Sequence, residues 1–414
     1  MPMRNGLLAL FFCLAGGATP GTAQSSRPRA AQDSLTAELT ALLGRGHFNG
    51  FGVAIVSARG VLYQHGFGVA DAQTRRAYDV HTAQSIASVS KTVVGLALLK
   101  AQELGKLQLD DPISKYLPFP VVNPAFPDVP ITLRQLATHT SSIRDNDFYL
   151  TKNYYLKPGQ DLRGLPLAFE DVQVFVPADS AVALPEFLQN VLTPRGKWYQ
   201  PKGFLASRPG ALYEYSNVGT ALAAYVVERA CGMPFREFTA RHLTRPLRLR
   251  DSGWSFAEVN FARCSRLYQS PAVALPYYSL TTYPDGNFIS SVADLGRYLR
   301  ELIRGYQGQG TLLRPDSYRE LFRPQLAAAN FTDRNERNPY SESYNVGIFM
   351  GFGYTGFIGH TGGDPGVVSL LFFDPKSGIG RVLLLNTNLA DRAGEATMYK
   401  IWDTLQKYQL RVGR

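Results

Sequence analysis

Strand-like sequence sits at the two ends of this chain and is thin between them. Gly50 to Val56 and Val61 to Val69 read as two strands around the turn Ser57-Ala-Arg-Gly60. Far downstream, Val367 to Phe373 and Val382 to Leu385 flank Asp374-Pro-Lys-Ser-Gly378, a second hairpin signal. Residues 110–209 are rich in Pro, Tyr and Gly and show short helical pieces, Leu133 to Thr138 and Pro185 to Leu192, but no convincing strand series. A chain so arranged is expected to build one sheet-containing lobe from residues 24–104 and 276–414 and to carry 105–275 as an inserted, mainly helical lobe. The expected fold class is α/β (α+β), an antiparallel sheet flanked by helices.

Helix signals fill in the frame. Ser34 to Leu43 is amphipathic, Ser88 to Leu104 is apolar and closed by Gly105, and Asn217 to Ala230 carries Asn217 as N-cap candidate with Gly232 past its end. Further helices are expected over Phe235 to Leu243, Asp294 to Arg304 and Glu395 to Leu410. No repeat of fixed period and no low-complexity linker divides the chain.

The N-terminus has Arg4, the apolar run Leu7 to Ala15, and small residues before Gln24, the grammar of a secretory leader over residues 1–23. The mature chain, 24–414, is expected to be exported, periplasmic or extracellular, with no membrane span left after cleavage near Ala23. Cys13 leaves with that leader, so Cys231 and Cys264 stay as an even pair for which a bridge or two free thiols are both open. The formal net charge of +10 favours anionic partners such as a cell-wall polymer, whereas the scattered Lys and Arg form no block that suggests nucleic acid. His47, His65, His81, His139 and His242 form no metal-ligand spacing, so packing or surface roles are expected for them, and no metal or cofactor is expected.

Ser88-Val89-Ser90-Lys91 is the only Ser-x-x-Lys in the chain. At a helix start this spacing puts hydroxyl and ammonium on one face. A serine hydroxyl needs a neighbouring base, and a desolvated Lys can supply one. Tyr215-Ser216-Asn217 is the only Tyr-x-Asn, and His360-Thr361-Gly362-Gly363 lies among the C-terminal strands.

In this order the three motifs resemble those of the serine β-lactamase and penicillin-binding protein superfamily. Ile131 to Ser141, Pro209 to Asn217 and Pro246-Leu247 are similar to segments of its class C β-lactamase and DD-peptidase branch, and the likeness covers nearly all of the chain after Ser34. The resemblance implies an acylated Ser88, a proton-transfer pair Lys91 and Tyr215, and substrate contacts from Asn217, His360, Thr361 and Gly362. It also implies an oxyanion hole from the backbone N–H groups of Ser88 and Gly363.

Two positions depart from the pattern. His360 stands where many relatives carry Lys, which puts efficient β-lactam hydrolysis in doubt, and Ser142 stands where Gly is common. No glutamate matches the deacylating residue of the class A enzymes, so water activation would fall to Tyr215 and Lys91. The function implied is an exported serine hydrolase acting through an acyl-serine on a peptide, amide or ester, of D-alanyl-D-alanine carboxypeptidase kind. A class C-like β-lactamase and a non-catalytic or slowly deacylating wall-binding protein are the alternatives. The long segment from Asp145 to Phe204 is expected to wall the substrate cleft.

Overall fold

The computed structural model describes residues 26–170, 173–332, 347–352, 356–389 and 391–413. The expected leader, residues 1–23, lies outside them. Among the described residues the main sheet has seven strands. They are β1 (Gly50–Ser57), β2 (Gly60–Asp71), β3 (Arg76–Ala77), β4 (Gly351–Phe352), β5 (Ile358–Asp364), β6 (Val367–Asp374) and β7 (Ile379–Leu385). Their order is β4-β5-β6-β7-β1-β2-β3, and every pairing is antiparallel. Both hairpins expected from the sequence are therefore present, and they join where Val53 faces Leu383 and Phe51 faces Leu385.

Period-two alternation explains why β1 is buried along almost its whole length. Val53 and Ile55 point to one face, where helices α1 (Ser26–Leu43) and α5 (Arg392–Tyr408) cover them with Leu35, Leu39, Ile401 and Leu405. Ala54 and Val56 point to the other, against Leu295, Leu299 and Leu302 of α4 (Val292–Tyr306). Each such aliphatic side chain contributes about 1.5–3 kcal/mol on burial.

Two further helices bear on the site. Helix α2 (Ser90–Glu103) is buried at eleven of its positions and ends ahead of Gly105, whose φ of +68° is the left-handed turn that favours glycine. The sequence predicts that this helix begins at Ser88, but a 3-10 turn over Ala87–Val89 precedes it, so Ser88 sits in the tighter turn. Helix α3 (Asn217–Cys231) is capped by Ser216, not Asn217: the Ser216 hydroxyl accepts from Gly219 N–H at 2.9 Å. Asn217 is thereby released from capping.

Between residues 105 and 275 the expected helical pieces are found at Leu133–Ala137 and Leu184–Leu192. Short strands also occur there, and Tyr154–Leu156 pairs with Tyr278–Leu280. That ladder ties the inserted segment to the chain leading into the site. Cys231 and Cys264 are both free thiols, so no bridge joins them. No helix among the described residues is long and apolar enough to cross a membrane.

Candidate active site

The turn that carries Ser88 is strained on one side and locked on the other. Ala87 has a φ of +45°, a conformation that costs a non-glycine residue about 1–3 kcal/mol. The turn is held from outside by Ser369 of β6, whose hydroxyl donates to the Ile86 carbonyl at 2.7 Å. Ser88 itself is half-buried.

Lys91 follows in the first turn of α2 and is fully buried. Its Nζ donates to Ser88 Oγ at 3.0 Å, to Asn217 Oδ1 at 2.7 Å and to the Asp285 carbonyl at 2.8 Å. The Tyr215 hydroxyl hydrogen-bonds the Ser88 side chain, and Lys91 Nζ lies 5.0 Å from the Tyr215 ring centre. Ser88, Lys91, Tyr215 and Asn217 thus meet although their numbers span 130 positions. Burial, reinforced by the charges of Asp285, Asp145 and Asp364, holds the Tyr215 phenol above its ordinary value, so at rest it is protonated.

His360-Thr361-Gly362-Gly363 runs along β5 beside this turn. A Cβ on Gly362 would fall 2.3 Å from Ser369 Oγ, 2.5 Å from the Ile86 carbonyl and 3.0 Å from Ser88 N, so only glycine lets the strand close onto the Ser88 backbone. Gly363 is exposed and meets nothing within 4 Å. His360 is buried, its ring 6.3 Å from that of Tyr215, and its Nδ1–H donates to the Thr361 carbonyl at 2.5 Å. Burial, with the charge of Lys91, pushes it down to about 3. His360 is a neutral imidazole here and offers no permanent cation.

Several neighbours were given no part in the site by the sequence. Asp145 accepts from Asn217 Nδ2 at 2.8 Å, Val218 N–H at 2.9 Å, Asn217 N–H at 3.2 Å and Ser216 Oγ at 3.3 Å. It fixes the Asn217 amide so that Oδ1 faces Lys91. His139 packs, as expected for it, but its place is against Tyr215 at 4.5 Å between ring centres, with Nδ1 accepting from Ser216 N–H. Ser142 has a φ of +67°, which explains why a glycine suits that position, and its hydroxyl accepts from Asn123 Nδ2 at 2.8 Å. Asp285 and Asp364 also lie in reach of Lys91's charge. No group of three or more metal-binding side chains occurs among the described residues.

The chain is similar to known proteins along most of its length. Protein flp of Staphylococcus aureus (strain MW2) is 23% identical over 357 residues, 84% of this chain but 61% of that protein, so the chain spans about three-fifths of that relative. The D-alanyl-D-alanine-carboxypeptidase/endopeptidase AmpH of Escherichia coli (strain K12) is 25% identical over 308 residues, 72% of this chain and 70% of its own length. The octameric penicillin-binding protein homologue from Pyrococcus abyssi superposes with a TM-score of 0.64 at 19% identity, covering 90% of this chain and 77% of the other. The Beta-lactamase family matches residues 35–406, almost the whole described chain. With its central antiparallel sheet, flanking helices and Ser-x-x-Lys turn, the chain belongs to the Beta-lactamase family.

Proposed function

We propose that this protein is an exported serine hydrolase in which Ser88 attacks an amide or ester carbonyl and is acylated, of D-alanyl-D-alanine carboxypeptidase kind. The observation that carries this is the single ammonium of Lys91, held between Ser88 Oγ, Asn217 Oδ1 and the Asp285 carbonyl. In the reactive form one proton has left the Lys91–Tyr215 pair for solvent, and the pair then receives the Ser88 proton as the bond to the acyl carbon forms and returns it to the leaving amine or alcohol. Developing charge on the carbonyl oxygen is met by Ser88 N–H and Gly363 N–H, each worth about 3 kcal/mol in such sites. Thr361, Gly362 and Asn217 line the substrate, and a water activated by the same Tyr215 releases the acyl group.

A β-lactamase reading is the weaker one, because His360 stays uncharged and supplies no cation to a substrate carboxylate. Residues 145–204 wall the cleft in this proposal, through Tyr149 and Tyr154. Export to the periplasm or beyond rests on the leader pattern of residues 1–23, and cell-wall peptide is the partner that a basic exported hydrolase of this family suggests.

The test is release of D-alanine from a short peptide ending in D-alanyl-D-alanine, followed beside penicillin hydrolysis. Turnover of the peptide by the wild type and none by Ser88→Ala supports the proposal. Faster penicillin turnover favours the β-lactamase. Stable acylation by penicillin with no turnover of either indicates a slowly deacylating binder.

A further inference from the structure

One buried residue grips the chain on both sides of Tyr215. His139 accepts the Glu214 N–H on its backbone carbonyl at 2.7 Å and the Ser216 N–H on its ring Nδ1 at 3.2 Å. Ser216 is extended, with φ −136° and ψ 120°, and in extended chain alternate N–H groups point the same way, so a single neighbour can take both. The same ring packs on Tyr215, 4.5 Å between centres and 31° between planes, and is closed in by Tyr213 at 5.9 Å and Phe349 at 5.4 Å.

Two features of this position are unfavourable for a histidine. Its φ of +56° lies in the left-handed region, at about 1–3 kcal/mol for a non-glycine residue. Its Nε2 is buried and has no hydrogen-bond partner among the described residues, an omission worth about 1–3 kcal/mol that an apolar ring would avoid. What the imidazole supplies and an apolar side chain cannot is the acceptor at Nδ1. Burial, then the Lys91 ammonium, holds His139 well below its ordinary value, so the ring stays neutral and Nδ1 keeps its lone pair.

The bond it accepts sits where placement matters most. The Tyr215 hydroxyl has to stay on Ser88 while its ring stays beside Lys91, whose Nζ lies 5.0 Å from the ring centre. Asp145 holds the segment from Asn217 onward, through the N–H groups of Asn217 and Val218. Tyr215 itself is left to His139.

We propose that His139 is a positioning residue for acylation: its Nδ1 acceptor and ring face fix residues 214–216 so that the Tyr215 hydroxyl stays on Ser88. It acts through Tyr215 and touches neither substrate nor the reacting atoms. This deepens the acyl-serine proposal and rests on it.

The experiment measures the rate of fluorophosphonate labelling of Ser88 in the full protein and in two variants. His139→Leu fills the space without an acceptor, whereas His139→Asn keeps an acceptor and suits a positive φ. Each change is repeated on Tyr215→Phe, and Tm is recorded throughout. The expected result is a loss of about thirtyfold in His139→Leu and of no more than about fivefold in His139→Asn. On Tyr215→Phe, which lacks the hydroxyl, His139→Leu should lower the rate by less than about twofold further. The rate should also rise with pH as the Lys91–Tyr215 pair loses its proton, and that limb should move to higher pH in His139→Leu and stay in place in His139→Asn. Equal losses in the two variants, or a loss in His139→Leu that persists undiminished on Tyr215→Phe, would mean packing alone and overturns the proposal. Should His139→Leu fail to fold, His139→Asn decides, and a loss as large as that of Tyr215→Phe overturns it. Absence of Ser88 labelling on folded wild type overturns the acyl-serine proposal itself and this inference with it. Labelling that does not respond to His139→Leu overturns the inference alone.

Discussion

The two sides of the cleft are built in different ways. On the Ser88 side, Ser88 and Lys91 are three residues apart, and their turn is clamped to the sheet by Ser369 of β6, beside which Gly362 of β5 comes close to Ser88 N. On the acid side, Asp285 and Asp364 take their donors from Tyr149 and Tyr154, separated from them by 136 and 210 positions. The first pair is set within one turn, and Asn217 reaches it from 126 positions away. The second exists only when the inserted segment docks.

Removing the ammonium should do most to break this division. Lys91→Met is expected to slow acylation of Ser88 by about a thousandfold. Labelling rates with a fluorophosphonate check this, and an unchanged rate would remove Lys91 from the acylation step. Gly362→Ala comes next, with a fall of about a hundredfold as the strand is pushed from the Ser88 backbone. Unchanged labelling in that variant would mean the clamp is not needed.

Smaller effects sharpen the comparison. His360→Lys should raise acylation by penicillin about tenfold by restoring a cation to a site where the native imidazole is neutral. The rate of penicillin adduct formation reads this directly, and no gain would show that the carboxylate is bound elsewhere. The smallest effect is on stability against pH. Asp285 and Asp364 are raised on folding, so the native chain holds their protons more tightly than the unfolded chain does. The stability this contributes is complete below about pH 4 and lost as pH rises through about 7 to 8. Asp285→Asn should therefore flatten the fall in Tm between pH 5 and 8.5, and an unchanged slope would mean that the acid is not buried as described.

Much of the framework was legible because apolar periodicity reports it. Both hairpins and helices α2 to α5 follow patterns readable within a dozen residues, whereas α1 begins at Ser26, eight residues ahead of the Ser34 expected from the amphipathic pattern. The start of α2 was not, because Ala87 adopts a positive φ with no glycine to announce it. The cap of α3 was misassigned because Ser216 and Asn217 are equally good capping types, and only the Ser216 to Gly219 bond separates them. The motif residues Ser88, Lys91, Tyr215 and Asn217 could be singled out by spacing, whereas Asp145, Asp285 and Asp364 are single acids in loops and strand ends. Their meaning comes from partners that no local pattern specifies.

The most direct measurement is the intact mass of the protein after exposure to a fluorophosphonate, with Ser88→Ala treated alongside. One adduct on the wild type, mapped to Ser88, and none on the variant is the result the acyl-serine mechanism predicts. An adduct on both proteins, or on neither while both remain folded, would contradict it.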